Sequence, residues 1–146
     1  MIDSGTQLPR HSVSVGGVVV DDHGRALLIR RRDNHRWEPP GGVLELGETV
    51  YDGLRRELRE ETGLDVEPVA LTGVYKNMAR GIIGLIFRCR ATGGALAPND
   101  EASAFHWATE QEATAMMTEA FAVRVLDALH GTAGPAVRPH DGVHLL

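Results

Sequence analysis

Residues 42–64 read GVLELGETVYDGLRRELREETGL, a glycine-containing segment that leads into a short helix-forming stretch. The stretch carries glutamates at Glu57, Glu60 and Glu61. Because residues three and four apart lie on the same side of an α-helix, these carboxylates share one face and repel one another. A hard divalent cation such as Mg²⁺ binds carboxylate oxygens and would neutralise that repulsion. The pattern favours a divalent-metal site aimed at phosphates, with a solvated helix face as the alternative.

Two residues mark the ends of the helix within this segment. Thr49 is predicted as the N-cap, with Asp52 three residues further along the chain. Gly63 supplies the left-handed residue that commonly ends a helix. Leu54 and Leu58 are four residues apart and form the stripe that packs against the core. The helix is therefore predicted to have one apolar face and one carboxylate face.

The segment resembles the Nudix box, which is written Gly, five residues, Glu, seven residues, Arg-Glu-aliphatic, one residue, Glu-Glu, one residue, Gly-aliphatic. Every defined position is filled, by Gly42, Glu48, Arg56, Glu57, Leu58, Glu60, Glu61, Gly63 and Leu64. The resemblance implies an enzyme that hydrolyses a nucleoside diphosphate linked to another group X. It also implies an α/β/α sandwich with a mixed sheet between helices.

The resemblance assigns expected roles within the box. The implied ligands for Mg²⁺, or for Mn²⁺ as a substitute, are Glu57, Glu60, Glu61 and the backbone carbonyl of Gly42. Arg56 is expected to pair with Glu48 or with a box glutamate, because a planar guanidinium binds carboxylates through parallel hydrogen bonds. Such a pair would hold the carboxylates in position.

The group that takes a proton from the attacking water is left open, because members of the family differ in where it lies. Glu57 is the candidate within the box. An acid outside the box is the alternative, and Glu101 is preferred over Asp100. These two residues directly precede a predicted strand, where many members carry a further metal-binding or catalytic glutamate. A solvated loop is the other interpretation of this segment.

Candidate substrate contacts lie outside the box. Arg30 and Arg31 end a predicted strand, where alternation sends neighbouring side chains to opposite faces. Arg31 is the first candidate for a contact with a phosphate or a base, and a solvated strand end is the alternative. Trp37 either stacks on a base or packs the loop that follows it. Tyr75 ends another predicted strand and is a candidate for base recognition.

Composition limits the partners and the compartment. The 146-residue chain has a net charge of -5, so its bulk electrostatics do not favour DNA or anionic lipid. We expect a small nucleotide substrate, no DNA or membrane partner, and, as is frequent in the family, a homodimer. Cys89 is the single cysteine, which excludes an intrachain disulfide and indicates a reducing compartment. With neither a secretory signal nor a membrane span in the sequence, a cytoplasmic location is expected.

The chain is predicted to form one domain, residues 1–146, with a lead at 1–11 and an irregular tail at 131–146. Predicted strands cover residues 12–20, 26–31, 66–75, 81–92 and 101–107, and residues 110–130 are predicted as a terminal helix or a broken pair of helices. The first two strands flank turn-forming residues and are expected to form an antiparallel hairpin. Strands on both sides of one helix favour an α/β fold with a mixed sheet between helical layers.

Subfamily patterns downstream of the box are absent. Residues 79–82 contain neither the proline of the ADP-ribose type nor the tyrosine of the dinucleoside polyphosphate type. By elimination, the expected activity is metal-dependent hydrolysis of the pyrophosphate bond of a nucleoside triphosphate or an oxidised nucleotide. ADP-ribose or nucleotide-sugar hydrolysis is the alternative. In another class, a non-catalytic nucleotide- or RNA-binding regulatory module is the alternative, although such modules usually lose box carboxylates.

Overall fold

The computed structural model describes residues 7–131 and 133–146, so the first six residues of the predicted lead lie outside the described part. The helices are α1 (Val50–Thr62), α2 (Glu110–Met116) and α3 (Glu119–His130). The strands are β1 (Ser12–Val19), β2 (Ala26–Arg31), β3 (Trp37–Glu38), β4 (Gly41–Val43), β5 (Leu64–Asn77), β6 (Ile82–Gly94), β7 (Ala102–Ala108) and β8 (Ala136–His140).

A five-stranded sheet in the order β4-β1-β6-β5-β8 forms the centre of the fold. The β1–β6 and β5–β8 pairs are parallel, whereas the β4–β1 and β6–β5 pairs are antiparallel. Helix α1 packs on one face of this sheet and α3 on the other. The expected α/β/α sandwich with a mixed sheet between helices is therefore confirmed. A second, antiparallel sheet has the order β3-β2-β7.

Successive side chains of β1 alternate between the core beneath α1 and the core beneath α3. Val15 packs in the core cluster that contains Leu58 of α1. Val18 packs in the other cluster, which contains Val125 of α3. Because successive side chains of a strand point to opposite faces, Ser14 shares the α3 face with Val18. A small polar residue thus occupies a sheet position that α3 would otherwise cover with apolar packing.

Helix α1 begins and ends at the predicted caps. The Thr49 hydroxyl oxygen accepts a hydrogen bond from the N–H of Asp52 at 3.1 Å. Gly63 has a φ of 83° and donates its N–H to the carbonyl of Arg59. Leu58 is fully buried in the core. The predicted N-cap, C-cap and apolar stripe are confirmed, and together they fix which face of α1 carries the box carboxylates.

The predicted hairpin of residues 12–20 and 26–31 is wrong. Strand β1 belongs to the five-stranded sheet and β2 to the three-stranded sheet, and the two are joined by an isolated bridge between Val20 and Ala26. Strand β1 instead pairs with β6 along its whole length. Turn-forming residues bend the chain locally, but burial of the two strand faces selects the pairing partner.

The predicted irregular tail contains a strand. In β8, the backbone pairs in parallel with β5, from Ala136 opposite Gly73 to His140 opposite Asn77. Proline content pointed to a loop, yet Pro139 lies in a strand at the edge of the sheet, where a missing N–H is tolerated. This strand matters for the site, because it brings the end of the chain back to the face of the sheet that α3 covers.

Residues 110–130 form the broken pair that was the second of the two expectations. Helix α2 begins with a capping box at Thr109 and Glu112, and Met117 is extended, with φ -127° and ψ 158°. Helix α3 then begins after Thr118. In the described part of the chain, no helix combines the length and the apolar character needed to cross a bilayer.

Replacing Gly63 with alanine tests the C-cap of α1. Gly63 and Gly24 both have positive φ, but a Cβ at Gly63 would collide with the carbonyl oxygen of Ala95, whereas nothing lies within 4 Å at Gly24. We expect Gly24→Ala to lower the free energy of unfolding by about 1 kcal/mol through backbone strain alone. Gly63→Ala should cost at least ~2 kcal/mol, because overpacking adds to the strain. Urea unfolding compares the two, and equal losses would contradict the assignment.

Candidate active site

Three carboxylates converge beside the glycines that begin the box. One oxygen from each of Glu57, Glu61 and Glu101 lies within 4.8 Å of the other two. Glu57 and Glu61 are 7% and 6% exposed, whereas Glu101 is exposed to solvent. These three residues are called the carboxylate cluster below. Glu60 lies on the same helix but outside the cluster, with its side chain about half exposed.

Asn99 brings Glu101 to helix α1. Its amide nitrogen donates to the carbonyl of Glu61 at 2.7 Å. Its amide oxygen accepts from the N–H groups of Glu101 and Ala102, both at 2.9 Å. One side chain therefore ties the start of β7 to the end of α1. We did not single out Asn99 from the sequence, although asparagine often forms such turns with the residues that follow it.

Arg56 organises the carboxylates on the other side. Its Nε and Nη2 donate to the two oxygens of Glu48 at 2.9 and 2.6 Å. Its Nη1 donates to Glu57 at 3.0 Å and to Glu60 at 3.2 Å, and Nη2 also donates to the carbonyl of Val43 at 3.1 Å. Both pairings expected for Arg56 are thus present. The two hydrogen bonds from Arg56 to Glu48 lower the pKa of the Glu48 carboxyl to about 2 and keep it ionised.

Two glycines let the backbone of β4 approach the cluster. The N–H of Gly41 donates to Glu61 at 3.2 Å. A Cβ on Gly42 would overlap the carboxylate of Glu57. Only a glycine therefore permits this approach. It brings backbone polar groups beside the carboxylates, which is where a further oxygen ligand is expected.

The electrostatics of the cluster favour a bound cation. Burial raises the pKa of Glu61 to about 9 against the hydrogen bond from Gly41, and the charges of Glu101 and Glu57 raise it further. Burial also raises the pKa of Glu57, although Arg56 opposes the shift. Buried carboxylates that are not neutralised by protein cations are costly. An all-oxygen set of this kind fits a hard divalent cation, so the residues present suit Mg²⁺ or Mn²⁺.

A cavity of about 820 Å³ adjoins the cluster at Gly41 and Gly42. This volume lies in the range of small-molecule and cofactor sites. Ser14 and Gly84 contribute its floor from the α3 face of the sheet, and Phe121 lines it from α3. Gly41 and Gly42, which line the cavity at one end, also contact Glu61 and Glu57, and the sheet and α3 enclose the cavity at the other end.

The structure separates the four predicted substrate contacts. Arg31, Trp37 and Tyr75 line the cavity. Arg30 is exposed and donates to the carbonyl of His35 at 3.3 Å, which places it outside the lining. Arg31 and Arg30 thus differ in their contact with the cavity, at a step where the pairing of β2 with β7 is irregular.

Each of the three lining residues also has a protein partner. Arg31 donates to Glu38 at 3.0 Å. The Trp37 ring meets the ring of His106 edge-on, with 6.2 Å between the centroids. Tyr75 is fully buried and donates its hydroxyl to Asp127 at 2.7 Å. Their substrate contacts stay predictions.

Sequence reasoning missed Arg124 and His140, which are among the basic residues that line the cavity. Arg124 lines it from α3 and His140 from β8. A single arginine within the apolar face of a predicted helix was a signal that could have found Arg124. His140 gave no such signal, because its segment was predicted to be irregular.

A mixed sheet between helices, with a carboxylate cluster beside a cavity, defines an α/β protein with a candidate metal site. The model of the NUDIX domain matches residues 10–129. The chain belongs to the Nudix hydrolase family, whose members act on small nucleotide substrates. The family and the enzyme class predicted from the box are confirmed, and the roles of individual site residues stay predictions.

Relatives of known name agree with this membership. A MutT-like protein of Streptomyces ambofaciens is 56% identical over 141 residues, which are 97% of this chain and 91% of the relative. An ADP-ribose pyrophosphatase of Methanocaldococcus jannaschii is 37% identical over 98 residues, covering 62% of this chain and 57% of the relative. The crystal structure of an ADP-ribose pyrophosphatase from Streptococcus suis superposes with a TM-score of 0.72 at 23% identity, covering 90% of this chain and 100% of the other, and supports the fold alone.

Gly42→Ala tests the close approach of β4 to the cluster. The added Cβ would displace the carboxylate of Glu57, so we expect the affinity for Mn²⁺ to fall about 10- to 100-fold. Gly47→Ala is the matched control within the box, because a Cβ there has nothing within 4 Å. Isothermal titration with Mn²⁺ measures both variants. Unchanged affinity in Gly42→Ala would show that Glu57 does not need this approach.

The pKa of Glu61 predicts how stability depends on pH in metal-free protein. A carboxyl whose pKa rises from 4.5 to about 9 on folding binds its proton more tightly in the folded state. Its stabilising contribution is therefore present below about pH 4.5 and is lost as pH rises toward 9. We expect Glu61→Gln to remove this loss. Chemical unfolding between pH 5 and pH 9 should show the variant gaining stability relative to the natural protein as pH rises; a constant difference would refute the shift.

Proposed function

We propose that the chain hydrolyses the pyrophosphate bond of a nucleoside triphosphate or an oxidised nucleotide, with Mg²⁺ as its cofactor. The observation that carries this proposal is the position of Gly41 and Gly42, which contact the carboxylate cluster and also line a cavity of about 820 Å³. A phosphate chain at the cluster would leave the nucleoside inside the cavity. The net charge of -5 does not favour a nucleic-acid strand as the substrate.

The residues that would hold the cation are Glu57, Glu61 and Glu101, with Glu60 and the carbonyl of Gly42 as the further ligands expected from the box. When bound, a divalent cation supplies positive charge that neutralises the phosphate oxygens during hydrolysis. Arg56 holds Glu57 and Glu60 by hydrogen bonds and thereby fixes the geometry of their oxygens. Its own charge is balanced by Glu48, which remains outside the cluster.

The position of Glu101 favours it as the general base. An oxygen of Glu57 is already engaged by a hydrogen bond from Arg56, which leaves it less free to contact a water. The carboxylate of Glu101 is exposed and held in place by Asn99 through the backbone. It can therefore reach a water that attacks a phosphate at the cluster.

The choice of substrate class follows the printed name of a relative. A Bacillus subtilis protein, 32% identical over 91 residues, is named a putative 8-oxo-dGTP diphosphatase, which supports an oxidised nucleoside triphosphate. The name of the archaeal relative supports ADP-ribose as a second candidate, although this chain spans 57% of that protein. A non-catalytic binding module would not require buried, mutually repelling carboxylates, whereas this chain retains them.

Glu61→Gln separates an enzyme from a binding module. We expect the substitution to lower kcat/KM by at least about 1000-fold, because one buried ligand is lost, while the fold persists. Glu60→Gln is the control on the same helix; its carboxylate is half exposed and lies outside the cluster, so the loss should be smaller. The assay is release of phosphate and pyrophosphate with Mg²⁺ from dNTPs, 8-oxo-dGTP, ADP-ribose and nucleotide sugars.

The substrate that turns over fastest identifies X. ADP-ribose or a nucleotide sugar well above every triphosphate would overturn the preferred class and support the second candidate. Full activity in Glu61→Gln would refute the metal role. Binding of nucleotides without hydrolysis of any of them would replace the enzyme with a binding module.

A further inference from the structure

A partly buried arginine faces the cavity without a salt bridge, although the charge of Glu38, which lines the same cavity, acts on it at longer range. The guanidinium carbon of Arg124 lies 5.0 Å from the ring centroid of Tyr75 and 4.5 Å from that of Phe121. Its Nε donates to the carbonyl of Ala120 at 3.3 Å, and no salt bridge to it occurs among residues 7–131 and 133–146. A guanidinium has five N–H donors, so most of them remain for an acceptor in the cavity.

His140 presents a second donor at the same place. Its Nδ1 accepts from the N–H of Gly142 at 3.0 Å, and its Nε2 lies 3.4 Å from Nη2 of Arg124. A neutral imidazole keeps one ring proton, so it cannot accept from both of these N–H groups. The shorter contact assigns the proton to Nε2. Two donors therefore stand side by side without an acceptor between them.

The environment keeps His140 neutral. The residue is 2% exposed, and burial together with the charge of Arg124 lowers the pKa of its imidazole. The groups that face it are Arg124 from α3 and Asp141 from its own segment. A neutral donor beside a cationic donor favours an oxygen acceptor that can accept hydrogen bonds from both.

The register of the sheet places this donor pair away from the carboxylates. A Cβ on Gly84 of β6 would lie 3.5 Å from Nη1 of Arg124. Gly84 pairs with Ser14 of β1, and Ser14 pairs with Val43 of β4. Two strand spacings, about 10 Å, therefore separate Arg124 from the strand that abuts the cluster. Phosphates at the cluster would leave the organic half of the substrate at the donor pair.

The part of the cavity between Gly41 and Gly42 at one end and the donor pair at the other fits a flat ring. The floor consists of small residues, Ser14 and Gly84, and aromatic side chains line the cavity at Trp37 and Phe121. Aromatic faces stack on planar rings and position them without hydrogen bonds. The donor pair, Arg124 and His140, can then donate hydrogen bonds to an atom on the edge of the ring.

We propose that Arg124 and His140 bind the ring carbonyl oxygen of a nucleobase and select keto bases over bases with an amino group at that position. This inference rests on the proposed function and specifies its substrate. An amino group would bring a further donor against two existing donors and leave all three without partners. The pair therefore acts on substrate choice, and the carboxylate cluster acts on the phosphates.

The first test compares dITP with dATP on the natural protein. The two purines differ at position 6, where one carries a carbonyl oxygen and the other an amino group. We expect kcat/KM for dITP to exceed that for dATP by roughly 10- to 100-fold, the range for a lost acceptor beside buried donors. Equal values, or a preference for dATP, would overturn the proposal without any variant.

The second test removes the cationic donor. Arg124→Met keeps an unbranched apolar stem beside Tyr75 and Phe121 but has no N–H, so the dITP preference should shrink to within about threefold. Arg88→Met is the matched control, because Arg88 also donates to a carbonyl of α3, at Ala128, but does not line the cavity. It should keep the preference. A loss shared by both nucleotides, and by tripolyphosphate, would place Arg124 at the phosphates and refute base reading.

Binding measurements separate this proposal from the proposed function. The monophosphates dIMP and dAMP contain no pyrophosphate bond, so their dissociation constants report base recognition without hydrolysis. Tighter binding of dIMP in the absence of any triphosphate turnover would reject the enzymatic proposal and retain the keto selection. Turnover of triphosphates with equal binding of dIMP and dAMP would retain the enzyme and reject the selection.

Discussion

Mutual repulsion among carboxylates is the constraint on which the site depends. Glu57 and Glu61 are buried on one turn of α1, and Glu101 is brought within 4.8 Å of them. Such a cluster persists only because other groups hold it open: Arg56 anchors one side and Asn99 ties down the other. A cation bound there would relieve this repulsion, because the same carboxylates destabilise the protein when no cation neutralises them.

The two faces of the mixed sheet contribute different parts of the candidate site. Helix α1 packs on one face and carries the carboxylates, whereas α3 packs on the other and lines the cavity. The carboxylates and the cavity adjoin at the edge strand β4, where Gly41 and Gly42 have no side chains to separate them. These two glycines therefore connect the proposed metal site with the proposed substrate cavity.

The sequence was most informative where short-range chemistry decides structure. The caps of α1, its apolar stripe and the pairing of Arg56 with Glu48 all follow from residues within a few positions of one another. The partner of β1 and the strand β8 depend on contacts between distant segments, which local turn and proline signals do not encode. The cavity was missed for the same reason, since Arg124 of α3 and His140 of β8 come together because β8 pairs with the sheet that α3 covers.

The strand β8 and the turn that follows it enclose one side of the cavity, with His140, Asp141 and Gly142 in its lining. The NUDIX match ends at residue 129, before any of these residues. A chain trimmed to the matched segment would retain every member of the carboxylate cluster and yet lose a wall of the cavity. The matched family domain therefore ends before the residues that complete the wall of the cavity.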